Sequence, residues 1–399
     1  MTINLNKYKQ FFTPKKYSQL LIENTNFINP NKIIDLTMGE GSLLIEASKK
    51  WNNIQIYGND IDGKCYKSTN DLNFINFYNK DIFLNKSIRF LITKVGLVDI
   101  CLANPPFHLI KQSSDSKKTL NKFLLNQYSY SKYIPAEMLF ILQAIQILKK
   151  EGVLSIILPD GFFVNNTLKS FRSFLLQNYS IIKIIELPIE IFEHTKAKTH
   201  IMILKNALPL TQSIKLSNAL NSNYILISTE QAIQRMDYSF YKNNNLTTLN
   251  NLKKISDYNV EIIRGIPKYK LKKIESTWVL HTTNFKKGNF FISPLKTKNY
   301  IKNYFPRIAQ KDDIIIPRVG SNILGRVGVV EDGYFIATDC IFIIRVKNKI
   351  ARENIKYTLE SEFGKEWINS ISKGVGARHI TLQDIVNLPI LERVKNNDN

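Results

Sequence analysis

Short apolar runs alternate with amphipathic stretches along the first half of the chain, and this alternation predicts strands and helices in turn. Apolar runs at 32–36, 54–58 and 97–103 end in Gly, Pro, Asn or Asp, which is typical of buried strands. Further runs follow at 152–158 and at later positions up to 204. Strands that alternate with helices favour a doubly wound α/β fold with a mainly parallel sheet.

The helix predicted at 16–23 has its own start signal, because Thr13 is a favoured N-cap residue and Pro14 suits the first helical position. A second helix is expected from Ser42 to Lys49, and a third from Met138 to Lys149. Each of them follows or precedes an apolar run, as the α/β interpretation requires.

The alternation fades after about Lys205, and residues 207–223 are polar enough to suggest a connection. We therefore expect a catalytic domain at 1–215 and a second, α+β domain at 216–399. In the second domain the apolar segments at 314–317, 325–330 and 337–345 predict three strands.

The chain has 399 residues, a formal net charge of +22 and a pI near 9.6. An excess of Lys and Arg over Asp and Glu indicates a polyanionic partner such as nucleic acid. The cysteines Cys65, Cys101 and Cys340 form no metal-ligand pattern, and their odd, scattered count favours a reducing cytoplasm. The polar start and the shortness of the apolar runs predict neither a signal peptide nor a membrane span.

The tetrapeptide Asn104-Pro105-Pro106-Phe107 directly follows the apolar run at 97–103. Two prolines stop a strand and stiffen the loop after it, which would fix the Asn104 amide and the Pro105 carbonyl in space. These two acceptors could take both N–H groups of an amino group on a planar base, and Phe107 offers a face for stacking. The alternative is a simple strand-ending turn.

A glycine turn lies between the first predicted strand and the helix at Ser42, and it reads Asp35-x-x-x-Gly39-x-Gly41. Two glycines allow a sharp turn and close approach of a ligand to the backbone. The free N–H groups at the start of the next helix favour anionic or polar ligands. The spacing departs from the dinucleotide motif G-x-G-x-x-G, so a nicotinamide cofactor is not indicated.

Acidic residues end the next two predicted strands, at Asp60 and Asp81, and Asp62 follows closely. A carboxylate about 20 residues past a glycine turn binds ribose hydroxyls in doubly wound nucleotide folds, and Asp60 or Asp62 could fill that position. For each residue alone, a helix N-cap is an equally good explanation.

In this order, the Phe11-x-Thr13-Pro14 box, the glycine turn, the acidic strand ends and the Asn-Pro-Pro-Phe motif resemble gamma-class DNA N6-adenine methyltransferases. The resemblance implies S-adenosyl-L-methionine as cofactor, a flipped adenine in double-stranded DNA as substrate and no metal. It implies a base-contacting role for Phe192. Phe162 and Phe163 are the competing candidates for that role, although we expect both in the core. It also implies cofactor contacts for Thr13, Asp35, Gly39, Gly41, Asp60, Ile61, Asp81 and Ile82.

The second half resembles the target recognition domains of type I restriction specificity subunits, mainly at 311–344 and 373–389. This similarity implies DNA contacts from basic side chains, some to phosphates and one or two to guanine. The candidates are Arg264, Lys268, Arg318, Arg326, Arg345 and Arg378.

Several alternatives stay open on the sequence alone. The motif after the strand is shared by enzymes that methylate RNA or protein glutamine, although the basic second half favours DNA. A non-catalytic DNA-binding modification subunit is a further alternative. N4-cytosine methylation is chemically close but is typical of Ser where Asn104 stands. A restriction-modification system with a separate restriction endonuclease is compatible with the chain, whereas a fused N-terminal nuclease is not expected.

Overall fold

The computed structural model describes residues 13–64, 73–189, 191, 198–211, 213–221, 223–243, 252–271, 279–285, 307–320, 322–373 and 378–392. The chain divides into two compact units, Met1–Tyr238 and Ser239–Asn399. The sequence placed the boundary between residues 215 and 216.

The first unit is built on a large, mostly parallel sheet, as the sequence predicted. Nine of its described strands pair in the order β11-β10-β8-β9-β7-β4-β1-β2-β3. Strand β9 is antiparallel to both of its neighbours, and β11 is antiparallel to β10. A separate two-stranded sheet pairs β5 with β6 in antiparallel orientation. The strands are Lys32–Asp35 (β1), Gln55–Asn59 (β2), Ile75–Tyr78 (β3), Val98–Ala103 (β4), Leu109–Lys111 (β5), Tyr133–Pro135 (β6), Leu148–Pro159 (β7), Ser180–Glu186 (β8), Thr199–Lys205 (β9), Ser213–Asn218 (β10) and Tyr224–Ser228 (β11).

Helices connect these strands. Short 3-10 helices lie at Asn126–Tyr130 and Asn166–Leu168. The α-helices are Lys15–Asn24 (α1), Ser42–Lys50 (α2), Asn85–Val95 (α3), Ser114–Lys122 (α4), Ala136–Ile147 (α5), Asp160–Val164 (α6), Lys169–Asn178 (α7) and Thr229–Gln234 (α8); Tyr238–Asn243 (α9) contains the boundary between the units.

The centre of the sheet is buried on both faces. All residues of β4 are buried, and so is β7 from Gly152 onward, because parallel strands are covered by helices on either side. Cys101 lies in β4 with no exposed surface, as expected for a core thiol. The core around this region includes Ile33, Ile100 and Val153.

The interpretation of residues 207–223 as a connection is wrong, because β10 lies within this segment. Helices do stop alternating with strands after β9, as expected, since β10 and β11 are the next described elements. Strand β10 pairs in parallel with β8, and β11 closes the sheet in antiparallel pairing, so residues after 212 still belong to the first unit. The polar composition that suggested a connection reflects the edge of the sheet, where exposed and buried positions are mixed along β10 and β11. Edge strands carry polar residues without losing their pairing.

The second unit combines small sheets with helices, in agreement with the α+β expectation. Its described strands form a four-stranded sheet, β12-β18-β15-β16, and a three-stranded sheet, β13-β17-β14. Short 3-10 helices lie at Ile255–Asp257, Lys268–Leu271 and Thr282–Asn284. The strands are Val260–Arg264 (β12), Val279–Leu280 (β13), Ile308–Gln310 (β14), Ile314–Pro317 (β15), Gly328–Val329 (β16), Tyr334–Ala337 (β17) and Ile341–Val346 (β18); the helices are Lys349–Glu360 (α10), Glu362–Ile371 (α11) and Leu382–Val386 (α12).

The segment 337–345, predicted as one strand, is two strands in different sheets. Strand β17 ends at Ala337, a turn at 338–340 follows, and β18 begins at Ile341. The core of this unit packs Ile314, Phe342 and Ile344 against helix residues such as Ile355 and Trp367. In the part of the chain that the structure describes, no helix is long and apolar enough to cross a membrane.

Candidate functional site

The glycine turn after β1 forms as the sequence predicted. Gly39 and Gly41 have φ angles of 52° and 79°, in the left-handed region that favours glycine, and Gly41 caps α2. The Gly41 N–H donates to the Met38 carbonyl at 2.7 Å, which closes the turn tightly. The turn therefore exposes backbone at the carboxyl edge of the sheet, next to the start of a helix.

Asp35 is buried at the end of β1, 1% exposed, and its carboxylate accepts a hydrogen bond from the Thr37 N–H at 2.9 Å. Burial raises the pKa of Asp35 to about 8, and the nearby Asp60 carboxylate adds to the rise. The Thr37 bond opposes both effects. The Asp35 carboxylate thus stabilises the start of the turn through its hydrogen bond with the Thr37 N–H.

Asp60 links β2 to the glycine turn. One of its carboxylate oxygens accepts from the Gly39 N–H at 2.9 Å, and the other accepts from the Asp62 N–H at 2.8 Å. Burial raises its pKa, while these backbone bonds lower it. Asp62 is more exposed and accepts from the Lys64 N–H at 3.0 Å, and Ile61 between them is 47% exposed. The Asp60 carboxylate therefore joins the glycine turn to the residues that follow β2.

Asn59 connects the residues that follow β1 and β3, and sequence reasoning missed it. Its side chain has no exposed surface and donates to the Leu36 and Lys80 carbonyls at 2.9 Å and 3.0 Å. Its amide oxygen also accepts from the Lys80 N–H at 3.1 Å. A polar residue that ends an apolar strand was the available signal, since a buried amide needs partners for all of its groups.

The third acidic strand end, Asp81, lies two residues after Asn79 and is half-buried. Its carboxylate accepts from the Phe83 N–H at 2.9 Å, and Ile82 beside it is 4% exposed. The Asp81 carboxylate is thus a hydrogen-bond acceptor with an apolar side chain directly beside it.

The Asn-Pro-Pro-Phe loop begins directly after β4, at the same edge of the sheet. Asn104, Pro106 and Phe107 are half-buried, whereas Pro105 is buried. The ring of Phe107 packs against the core that also holds Ile100 and Leu102. The loop therefore holds an amide, a carbonyl and a ring in fixed positions at the end of a central strand.

The side-chain amide of Asn104 donates to the Thr13 hydroxyl at 3.0 Å, across 91 residues of sequence. This bond joins the Thr-Pro box to the Asn-Pro-Pro-Phe loop. The predicted helix N-cap role of Thr13 is wrong, because helix α1 begins at Lys15 with Pro14 as its cap residue and no side-chain cap bond. Thr13 is 7% exposed, and its hydroxyl accepts the bond from the Asn104 amide instead.

A buried ionic network lies at the same edge, beyond β7. Lys198 is within 3.2 Å of Glu186, 3.6 Å of Asp160 and 3.9 Å of Asp237. Burial lowers the pKa of Lys198, but these carboxylates outweigh it and raise the pKa overall. Sequence reasoning assigned no role to Asp160, which directly follows β7.

The aromatic candidates for base contact separate clearly. Phe162 and Phe163 have no exposed surface and belong to the core, as expected. Phe192 lies outside the described residues; Ile191 before it is buried and Lys198 lies in the ionic network after it.

The family model described as N-6 DNA methylase matches residues 4–300. The chain belongs to this family. Its methyl donor, S-adenosylmethionine, fits the residues found: a glycine turn, carboxylates at Asp60 and Asp81, and a closing Thr-Pro box. Among the described residues, no group of His, Cys, Asp or Glu could hold a metal ion.

Two curated relatives of this methylase come from mycoplasmas. The methylase subunit of the type I restriction enzyme MpnII of Mycoplasma pneumoniae is 24% identical over 217 residues, which is 49% of this chain and 40% of that protein. An uncharacterized protein of Mycoplasma genitalium, MG259, is 24% identical over 388 residues, which is 89% of this chain and 76% of that protein. The chain thus spans well under half the length of the MpnII subunit.

Solved structures with a similar arrangement include the type IIG restriction endonuclease BpuSI, with a TM-score of 0.46 and 15% identity over 98% of this chain and 60% of that one. A methyltransferase subunit of a type I restriction-modification system from Streptococcus thermophilus has a TM-score of 0.43 and 24% identity, over 56% of this chain and 51% of that one.

The basic candidates of the second unit fall into two groups. The first group, Arg264, Lys268 and Arg318, lies around the turn at 338–340, as the contacts of Arg264 and Arg318 with Asp339 show. The second group is engaged elsewhere: Arg326 donates to the Phe285 carbonyl, Arg378 donates to Asn369 and Ser372, and Arg345 forms a two-point bond with Asp313 at 2.7 Å and 3.0 Å.

Proposed function

We propose that this methylase transfers the methyl group of S-adenosylmethionine to the N6 amino group of a flipped adenine in double-stranded DNA. The observation that carries the proposal is the Asn104–Thr13 hydrogen bond of 3.0 Å. It brings the Thr-Pro box, which suits the cofactor, onto the loop that suits the amino group. Strand β4 also neighbours β1, so this loop and the glycine turn occupy adjacent strand ends.

The reaction needs the target nitrogen in line with a sulfonium methyl group. The adenine amino group is out of reach inside a duplex, so the base must leave the stack at a cost of a few kcal/mol. Phe107 offsets that cost by stacking on the base. Asn104 and the Pro105 carbonyl accept the two amino hydrogens and hold the nitrogen lone pair toward the methyl group.

The Thr13 contact orients the Asn104 amide. Because the amide nitrogen donates to the Thr13 hydroxyl, the amide oxygen is turned to the opposite side, where it can accept from the base. The bound cofactor supplies a methyl group on a positively charged sulfur, which leaves readily. Positioning therefore accounts for most of the catalysis.

Cofactor binding is assigned to the ends of β1, β2 and β3. Asp60, or Asp62 beside it, takes the ribose hydroxyls, and Asp81 takes the adenosine amino group with Ile82 against the ring. The backbone of Gly39 and Gly41 admits the cofactor closely, and Thr13 lies against its methionine part. Asp35 and Ile61 shape the surrounding turn.

The order of motifs supports assignment of the chain to the gamma class of DNA adenine methyltransferases. The small sheets and basic side chains of the second unit support its assignment as a DNA target recognition domain. The formal net charge of +22 suits a polyanionic substrate. The MpnII relative, by its name a methylase subunit of a type I restriction enzyme, supports a restriction-modification setting with separate subunits, one of them an endonuclease.

The test is to express the full chain in a bacterial host that lacks DNA methylation and to read modified bases across its genome by single-molecule sequencing. N6-methyladenine at every copy of one short motif would support the proposal. Asn104→Ala should remove the modification, while Asn126→Ala, at an exposed site, should leave it unchanged. Unmodified DNA from a folded, cofactor-binding protein would refute it.

A further inference from the structure

Two arginines meet one aspartate at an edge of the four-stranded sheet in the second unit. Arg264 ends β12 and Arg318 directly follows β15, while Asp339 lies in the turn before β18. Strand β18 is antiparallel to both of these neighbours, so the two arginines and the aspartate come to the same edge. We call Arg264, Arg318 and Asp339 the arginine edge.

The contacts within the arginine edge hold both guanidinium groups. Arg318 donates from Nε to the Asp339 carbonyl at 2.7 Å, and Arg264 donates to the Asp339 carboxylate at 3.0 Å. The side chain of Arg264 is 54% exposed, whereas Arg318 is half-buried. Arg264 thus reaches into solvent, and Arg318 is set more firmly in the sheet edge.

The backbone around Arg318 is fixed on both sides. Its N–H donates to the Cys340 carbonyl at 2.7 Å, and its carbonyl accepts from the Ile380 N–H at 2.9 Å. Because Nε is bound as well, rotation of the Arg318 guanidinium group is restricted. Its two terminal NH2 groups therefore point in a fixed direction, as a pair of donors that we call the fork. A fork held in this way loses little conformational entropy when it binds a planar acceptor pair.

The local charge is positive. The arginine edge contains two guanidinium groups and a single carboxylate, that of Asp339. The exposed Lys268 adds a third positive charge nearby. Lys268 and Asp339 both act on His281. Burial and the Lys268 charge lower the pKa of His281, and the Asp339 carboxylate opposes this only in part. Burial and the neighbouring Arg264 likewise lower the pKa of Arg318. Such a site favours a ligand with negative charge and paired acceptors.

The other basic candidates differ in their surroundings. Arg326 and Arg378 donate through terminal N–H groups to acceptors of their own unit, whereas Arg318 donates to the Asp339 carbonyl through Nε. Arg345 is 16% exposed and is bound to Asp313. Among the six candidates, Arg318 is therefore the one with a guanidinium group fixed through Nε at a position directly after the last residue of β15.

We propose that Arg318 is the residue that reads a guanine in the major groove, through the O6 and N7 acceptors of that base, and that Arg264 and Lys268 bind the flanking phosphates. The proposal rests on the function proposed above, in which the second unit recognises DNA. Guanine is the base whose major-groove edge presents two acceptors to an arginine fork. The more exposed Arg264 and Lys268 suit phosphates, which give affinity without sequence information.

The test selects bound DNA from a random duplex pool with the full chain and no methyl donor. Wild-type protein should enrich a motif with guanine at one position, by about tenfold or more over the other bases. Arg318→Lys keeps the charge but removes the fork, and it should lose guanine preference at that position alone. Arg352→Lys is the matched control, because Arg352 pairs with Asp312 at the opposite end of β15.

A second measurement does not depend on how the variant folds. Replacing that guanine with 7-deazaguanine removes N7, and wild-type protein should then bind the site several-fold more weakly. The Arg318→Lys variant should show no further loss. Lys268→Ala should weaken binding to all sequences alike and should lower the log–log salt slope by about 0.9.

Two results would overturn the inference: an unchanged motif with Arg318→Lys, or equal binding of guanine and 7-deazaguanine by the wild-type protein. Because selection measures binding alone, it is independent of methyl transfer. A protein that methylates adenine but keeps its motif in Arg318→Lys would refute this inference and leave the proposed function standing.

Discussion

Glu137 offers a sharp test of how burial sets charge near the Asn-Pro-Pro-Phe loop. It is the second residue of α5, and the preceding Ala136 N–H donates to the His108 carbonyl at 2.9 Å. The Glu137 side chain is 7% exposed, and one carboxylate oxygen has no hydrogen-bond partner among the described residues. Burial raises its pKa from 4.5 to about 7.

The sign of the effect on stability follows from the direction of that change. The folded chain holds the Glu137 proton more tightly than the unfolded chain does, so the neutral carboxyl favours folding below pH 4.5. This contribution is lost as the pH rises from 4.5 toward 7, where the buried group must ionise. A pKa of about 7 in place of 4.5 corresponds to about 3 kcal/mol of lost stability above pH 7.

Glu137→Gln removes this titration while keeping the side-chain shape. We expect its free energy of unfolding, relative to that of the wild-type chain, to rise by about 3 kcal/mol between pH 4.5 and pH 8. Chemical denaturation of both proteins across this range measures the difference, and other titrating groups cancel in it. Glu23→Gln, at an exposed site on α1, should show no such trend. A pH-independent difference for Glu137→Gln would refute the reasoning.

Three further predictions concern the loop and the ionic network. Thr13→Val should lower kcat about fivefold, because it removes a hydrogen bond worth about 1 kcal/mol, whereas Thr13→Ser should retain activity. Equal kcat values for Thr13→Val and the wild-type chain in steady-state assays would contradict the positioning role. Asn104→Ala and Phe107→Ala should each cut methyl transfer by orders of magnitude and leave DNA affinity largely intact, as filter binding beside a methylation assay would show; parallel loss of binding would contradict the assigned roles. Lys198→Met should destabilise the chain by about 3–5 kcal/mol, because it removes a buried cation that three buried carboxylates share, although Asp160 keeps His200 and Asp237 keeps Arg235 as partners. Lys205→Met, which breaks an exposed pair, should cost less than about 1 kcal/mol in the same denaturation assay.

Local patterns were enough to locate the elements that hold the site. Apolar runs with polar ends predicted β1, β2, β4 and β7, because a strand covered on both faces must be apolar along most of its length. The glycine turn was predictable as well, since left-handed backbone at Gly39 and Gly41 requires a residue without a side chain.

Edges of sheets were less predictable. Strands β10 and β11 mix exposed and buried positions, so their composition resembles that of a connection. Only the pairing of β10 with β8, and of β11 with β10, assigns them to the first unit. The split of residues 337–345 between two sheets has the same cause: an apolar run shows that a segment is buried, but not which partner it pairs with.

The sequence by itself determined the fold class, the family and the order of the motifs, because these depend on residue types at short, fixed spacings. Tertiary structure alone decided which polar groups meet. The bond between Thr13 and Asn104 joins residues 91 positions apart, and the arginine edge joins three strand ends that are distant in sequence. Such contacts depend on strand order and register, and no local pattern along the chain encodes the partner of a particular side chain.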